Sequence, residues 1–173
     1  MTLVLRPLTK EDKEAFNEGL LLFSDMEKDW YTFVLKEGMS FEEMLTILEK
    51  NAKGIDIPKG RVPDSMLYAF LDGKIIGRVS IRHELNDYLF NEGGNIGYSV
   101  ATSYRKRGFA SEMLKQAMIY CREVLGLERL LLTCDDDNVG SYRVIEKNGG
   151  KLEGKNVSND GTKIKRRYWI NLR

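Results

Sequence analysis

The residues best suited to chemistry lie in the stretch SYRKRGFAS, positions 103–111, where Arg105, Lys106 and Arg107 stand directly before Gly108. The whole chain is nearly neutral, with 27 Lys and Arg against 26 Asp and Glu, so this concentration of positive charge is local. Apolar residues then recur at 110, 113, 114, 117, 118, 121 and 124, the spacing of an amphipathic helix. Cations at a helix N-terminus oppose the helix dipole by about 0.3–1 kcal/mol each unless an anion sits there. Free N–H groups in the first turn, a glycine that permits close backbone approach and the small Ala110 together suit a phosphate. The alternative is a solvated basic loop that merely begins a helix.

A second group of candidates carries hydroxyls and an imidazole. Ser141 and Tyr142 follow Asn138, which has the side chain of a helix N-cap. His83, the sole histidine, ends a strand-like run beside Glu84. It suits either a base near neutral pH or a structural hydrogen bond. Glu84 and Glu92 are carboxylate alternatives, and both also suit a solvated surface.

These residues need elements to position them. Residues 3–6 read as a first strand, and helix starts resembling capping boxes occur at 9–12 and 40–43. Between them, residues 23–31 are aromatic and acidic. They suit either a linker that packs Trp30 and Tyr31 on the core or one wall of a substrate groove. Strand-like runs at 65–71 and 74–81 flank Asp72-Gly73, a tight-hairpin signal. A strand at 95–100, the helix at 109–125 and an apolar strand at 130–134 form a βαβ crossover. A short helix carrying Val144 and Ile145 follows Asn138. Two terminal strands flank Asn159-Asp160-Gly161 and finish at 168–172. The expectation is a mixed α/β fold in a single domain spanning 1–173.

With 173 residues the chain can bury a core without a disulfide or structural metal. Cys121 and Cys134 fall in apolar segments and read as buried free thiols of a reducing cytoplasm. The opening MTLVLR is too quickly charged for a signal peptide, and no apolar run is long enough for a membrane span. The basic run at 163–169 alternates with Ile164 and Tyr168, which fits a half-buried strand better than a nucleic-acid face.

Neither a G-x-x-x-x-G-K-S/T nor a G-x-G-x-x-G phosphate loop is present. The stretch RKRGFA, 105–110, instead resembles the Q/R-x-x-G-x-G/A signature of the GCN5-related N-acetyltransferases (GNAT superfamily). The context agrees: the strand IGYSV at 96–100, an amphipathic helix, a buried strand, then NVGS at 138–141 and KNGG at 147–150. The resemblance implies a mostly antiparallel central sheet with helices on both faces, whose parallel crossover unit splays at the site of the cofactor, acetyl-CoA. The backbone of Tyr98, Ser99 and Val100 would pair with the pantetheine arm. The loop of Arg105, Lys106 and Arg107 and the amides from Arg107 through Gly108, Phe109 and Ala110 to Ser111 would hold the pyrophosphate. Asn138 and Ser141 would contact the cofactor near its thiol end.

One departure matters. Many members of the superfamily carry a Tyr seven residues after the position of Asn138 to protonate the leaving thiolate, and this chain has Ile145. Ser141 and Tyr142 are the nearby replacements, with His83 as a possible base. The motif around 138–147 resembles the subgroup that acetylates α-amino termini of ribosomal proteins and related bacterial predicted acetyltransferases. The expected acceptor is a small-molecule amine or peptide N-terminus. An α-amine with a pKa near 8 loses its proton cheaply at pH 7, whereas a Lys near 10.4 costs about 4–5 kcal/mol. Asp25, Glu27, Asp29, Glu84 and Glu92 would make an acceptor groove acidic. A coenzyme A-binding sensor without turnover is the alternative reading. An edge strand at the C-terminus would permit a homodimer.

Overall fold

The computed structural model describes residues 2–173. It contains seven strands, β1 (Leu3–Arg6), β2 (Asp64–Leu71), β3 (Lys74–Arg82), β4 (Ile96–Val100), β5 (Arg129–Asp135), β6 (Lys151–Val157) and β7 (Ile164–Asn171). Five α-helices accompany them: α1 (Lys13–Leu20), α2 (Asp25–Thr32), α3 (Phe41–Lys53), α4 (Phe109–Glu123) and α5 (Val139–Lys147). The strands form two antiparallel sheets, ordered β1-β2-β3-β4 and β5-β7-β6.

The sheets meet where β4 and β5 begin. Asn95 N–H donates to the Leu131 carbonyl at 2.7 Å, and Leu131 N–H donates to Asn95 Oδ1 at 2.8 Å. Asn95 is 4 % exposed, so its side chain replaces a ladder rung inside the core. Beyond that point β4 keeps a ladder only with β3. Its other edge is open toward α5, and this opening is the expected splay.

Two cores lie on opposite faces of the first sheet. One gathers Val79, Ile81, Val100, Met113, Leu114, Ala117, Leu130, Leu132, Ile145 and Tyr168 beneath α4 and α5. The other gathers Phe16, Phe23, Tyr31, Met44, Tyr68 and Ile75 beneath α1, α2 and α3. Tyr31 donates to the Phe16 carbonyl and Tyr68 to the Tyr31 carbonyl, each at 2.9 Å, so both buried phenols are satisfied. The β2–β3 hairpin turns on Asp72 and Gly73, with φ of +50° and +84°, as a two-residue turn of this hand requires.

The segment 23–31 proves to be mostly helical. Ser24 and Glu27 form a capping box for α2, and Tyr31 is fully buried while Trp30 lies at the surface of the sheet. Cys121 and Cys134 are buried and unbridged. The expected C-terminal edge strand is not observed. β7 lies between β5 and β6, so its backbone is paired on both sides and the free edge belongs to β6. The cations at 163–167 are also committed. Lys163 and Lys165 both bond Asp135 at 2.6 Å, Arg166 bonds Asp136 at 2.5 Å and Arg167 approaches Glu153 at 3.0 Å.

Candidate active site

Gly108 takes φ +86° and starts the 15-residue helix α4, with no side chain capping the first turn. The free amides therefore face a cavity of about 550 Å³ between β4, α4 and α5. Its walls include Tyr98, Ser99, Val100, Arg105, Lys106, Gly108, Phe109, Ala110, Ser111, Asn138 and Ser141. The structure thus brings together every residue that the sequence assigned to cofactor contact except Arg107. That guanidinium lies over the rings of Tyr104 and Phe109, 5.4 and 5.2 Å from their centroids.

Hydrogen bonds from Arg105, Asn148 and Asn138 set the cavity's shape. Arg105 Nε donates to the Val100 carbonyl at 2.9 Å, which ties the loop to the end of β4. Its terminal nitrogen pairs with Glu27 of α2. Asn148 Nδ2 donates to Ser111 Oγ at 3.0 Å and to the Val144 carbonyl at 2.9 Å, clamping α5 against the first turn of α4. Asn138 Oδ1 accepts from Ser141 N–H at 3.1 Å as the N-cap of α5. Among the described residues its amide nitrogen has no hydrogen-bond partner, and the residue is exposed. Arg143, Val144 and Lys147 also line the cavity; their helical spacing from Gly140 places them on one face of α5 and was the signal available in the sequence.

The hydroxyls divide. Tyr98 Oη lies 3.1 Å from Ser141 Oγ and 3.2 Å from the Ser141 carbonyl, both within reach of the cavity. Burial pushes the Tyr98 phenol up to about 12, so it holds its proton at neutral pH. Tyr142 does not line the cavity; its ring lies under Arg166, 3.9 Å from the guanidinium carbon. Ile145 is fully buried, and Gly150 packs against it so closely that a Cβ there would sit 2.4 Å from Ile145 Cγ2.

His83 is not brought to this cavity. It directly follows β3, six positions on from Gly77 and four on from Val79, the register partners of Val100 and Tyr98, or about 20 and 13 Å along the strand. Its Nε2 lies 2.8 Å from Ser65 Oγ, which also receives the Tyr120 hydroxyl at 3.3 Å. Burial lowers its pKa, opposed by Asp64 and Glu84. The expected acidic groove is also largely spent internally: Glu27 pairs with Arg105, Asp25 with Lys28 at 2.6 Å, and the Glu92 carboxylate accepts the Asn159 amide.

Residues 2–151 match a family model described as an acetyltransferase (GNAT) domain. The chain belongs to the GNAT acetyltransferase family. Among curated relatives, it is 36 % identical over 59 residues to an uncharacterized N-acetyltransferase, YnaD, from Bacillus subtilis strain 168. That match covers 34 % of this chain and 35 % of YnaD. It is 27 % identical over 88 residues to the L-amino acid N-acetyltransferase AaaT of Escherichia coli K12, covering 51 % of this chain and 54 % of AaaT. The matches therefore span about a third and about half of these relatives. Among solved structures, RimJ of Mycobacterium smegmatis in complex with CoA-disulfide superposes with a TM-score of 0.66 at 21 % identity, over 98 % of this chain and 81 % of that one. At that identity the likeness shows the fold. Among the described residues no helix is long and apolar enough to cross a membrane, and no cluster of His, Cys, Asp or Glu is arranged to hold a metal.

Proposed function

We propose that residues 1–173 form one catalytic domain, an acetyl-CoA-dependent N-acetyltransferase acting on a primary amine, either a small molecule or a peptide N-terminus. The observation that carries this reading is the uncapped N-terminus of α4 opening on the 550 Å³ cavity beside Arg105 and Lys106. Bare amides and cations at a helix start suit a phosphate-bearing anion such as a pyrophosphate. The open edge of β4 offers the backbone of Tyr98 and Ser99 to an extended arm. The Val100 carbonyl is already taken by Arg105. Acetyl-CoA would supply the activated acetyl thioester; this chain would supply the cradle, the alignment and the proton donors.

Ser141 and Tyr98 are the proposed donors toward a leaving thiolate. A phenol held near 12 is a poorer acid than a thiol near 8.5. Full proton transfer from Tyr98 is therefore uphill by three to four units, about 5 kcal/mol. The pair is better suited to stabilising the thiolate by hydrogen bonds while water delivers the proton. Names of relatives support an amine acceptor: the two curated ones are called N-acetyltransferases, one of them for L-amino acids.

The test is calorimetry with coenzyme A, followed by a thiol-release screen with acetyl-CoA over amino acids, polyamines, aminoglycosides and peptides with free N-termini. Saturable binding with turnover on one amine class is expected. Binding without turnover would favour a sensor, and absence of binding would overturn the cofactor site.

A further inference from the structure

The face of the first sheet beneath α2 carries a charge that the cofactor site does not use. Arg78 of β3 is 1 % exposed, and its Nε and Nη1 are buried without a hydrogen-bond partner. Among the described residues it forms no ion pair. A buried guanidinium with unpaired donors is costly, and proteins normally satisfy one with a carboxylate. Burial pushes its pKa down to about 10, so it remains charged at neutral pH. Its guanidinium carbon sits 3.5 Å from the centre of the Trp30 ring and 5.1 Å from that of Phe33.

Its neighbours are also cationic. Arg82 follows four residues later on the same face, where among the described residues its guanidinium bonds only the Gly93 carbonyl, at 3.3 Å. Asp64, the one carboxylate that β2, β3 and β4 place on this face, bonds Arg61 through Oδ2 at 2.8 Å, while its Oδ1 is buried without a partner and it makes no ion pair with Arg78. Arg78 is the register partner of Ser99, which lines the cofactor cavity. Cross-strand partners of this kind stand about 5 Å apart. The cover over Arg78 is strained where it ends. Phe33, the C-cap of α2, has φ +52° and ψ −71°, a conformation that bulky residues rarely hold without a reason.

We infer that Arg78 is the receptor for a carboxylate on the acyl acceptor, which makes the acceptor a free amino acid or a comparably short amino-carboxylate. The inference rests on the acetyltransferase reading for the identity of the reacting group, and on Arg78 alone for the carboxylate. Trp30 covers the guanidinium in the structure, so acceptor entry shifts Trp30 aside and replaces a ring face with a two-pronged carboxylate contact. With its carboxylate at Arg78, one strand from the cavity, the acceptor points its amine toward Ser99 at the cavity wall. A polyamine gains nothing from such a site, and a peptide N-terminus lacks a carboxylate at that distance.

The test has two arms. In the first, thiol release is compared for amino acids, their amides and polyamines, using the intact protein, Arg78→Gln and Arg78→Lys. Amino acids should exceed their amides by at least about tenfold in kcat/KM, mainly through KM, and Arg78→Gln should erase that ratio. Arg78→Lys, which keeps the charge, should retain part of it and guards against a variant that fails to fold. In the second arm, Trp169→Phe leaves Trp30 as the sole indole, and glycine and N-acetylglycine are titrated by fluorescence. A saturable Trp30 response that disappears with Arg78→Gln supports the site even if no acceptor turns over, in which case the acetyltransferase reading fails alone. Equal use of amides and acids by the intact protein, or a Trp30 response unaffected by Arg78→Gln, overturns the inference.

Discussion

Two cavities of nearly equal size flank α4, and only one is built for an anion. The first, about 550 Å³, opens at the helix N-terminus against Arg105, Lys106 and the free amides after Gly108. The second, about 520 Å³, lies near the other end, where Tyr120 and Ser65 meet α3 and the 7–11 segment. Its charged lining is mostly Glu11, Glu42 and Glu49, with Lys10 the one cation. Several of its polar groups already have partners: Tyr120 bonds Ser65, Ser65 bonds His83 behind the wall, and Glu49 bonds Lys53. Volume therefore says little about ligand chemistry. A helix terminus, unspent donors and the sign of the charge say much more, because they fix which ligand can replace water without loss.

The largest effect should come from the glycine on which the first cavity turns. Gly108→Val places a β-branched residue at φ +86°, where it must move the first-turn amides or strain the chain. A loss of coenzyme A affinity of about tenfold to a hundredfold is expected by calorimetry, some 1.4–2.8 kcal/mol. Gly161→Val, at φ +73° in the β6–β7 loop with open space around it, imposes comparable strain away from the cavity. It should leave affinity unchanged. Equal losses in both variants would mean that strain, rather than the cradle, had been measured.

A smaller effect is expected at the Tyr98–Ser141 pair. Tyr98→Phe and Ser141→Ala should each lower kcat by up to about tenfold, 1.4 kcal/mol. The double variant should cost little more than the worse single one, because the hydroxyls act as a pair. Tyr142→Phe should be silent, since that ring packs under Arg166 outside the cavity. With Tyr98 protonated well past pH 10, the pH profile of kcat should show no inflection from it in the neutral range.

What was legible in the sequence follows the same division. The loop and α4 were readable because the relevant signals are local: cations, a glycine and a helical period within some twenty residues. The crossover from β4 to β5 was readable for the same reason. α2 carried a readable sign as well, the S-x-x-E spacing of Ser24 and Glu27, but it spans only eight residues and its acids suggested a groove rather than a cap. Tyr98 was assigned a backbone role, because only the packing of α5 against β4 brings its hydroxyl to Ser141. Arg78 was invisible for a related reason. Alternation along β3 places it with Ser80 and Arg82 on what reads as a solvent face, and nothing local reveals that α2 covers that face. The order of the last three strands also required three dimensions, since β7 inserts between β5 and β6.

Glu27 tests whether the acids near the first cavity serve the acceptor or the loop. Its carboxylate binds Arg105 and is held low chiefly by the Ser24 hydroxyl, with Arg105 assisting. Glu27→Gln removes a negative charge beside the phosphate loop and frees one guanidinium nitrogen. Coenzyme A should bind about two- to fivefold more tightly, the scale of an exposed ion pair, and the gain should fade with added salt. A raised KM for a cationic amine, with coenzyme A affinity unchanged, would instead return Glu27 to the acceptor site.

The smallest effect belongs to His83, which bonds Ser65 behind the wall of the second cavity. His83→Gln should leave turnover and coenzyme A affinity within about twofold, because the imidazole bonds Ser65 rather than lining the first cavity and stands about 13 Å along the strand even from the register partner of Tyr98. Its signature should appear in stability instead. Burial lowers the His83 pKa in the folded chain, so the unfolded chain binds a proton first as the pH falls. The contribution of the neutral imidazole is complete above its unfolded pKa of about 6.5 and is lost as the pH drops from there through the folded value. Melting temperatures measured between pH 7.5 and 5 should therefore fall less steeply for His83→Gln than for the unaltered protein. Parallel slopes would remove His83 from the acid response, and a large loss of kcat would return it to the chemistry of the first cavity.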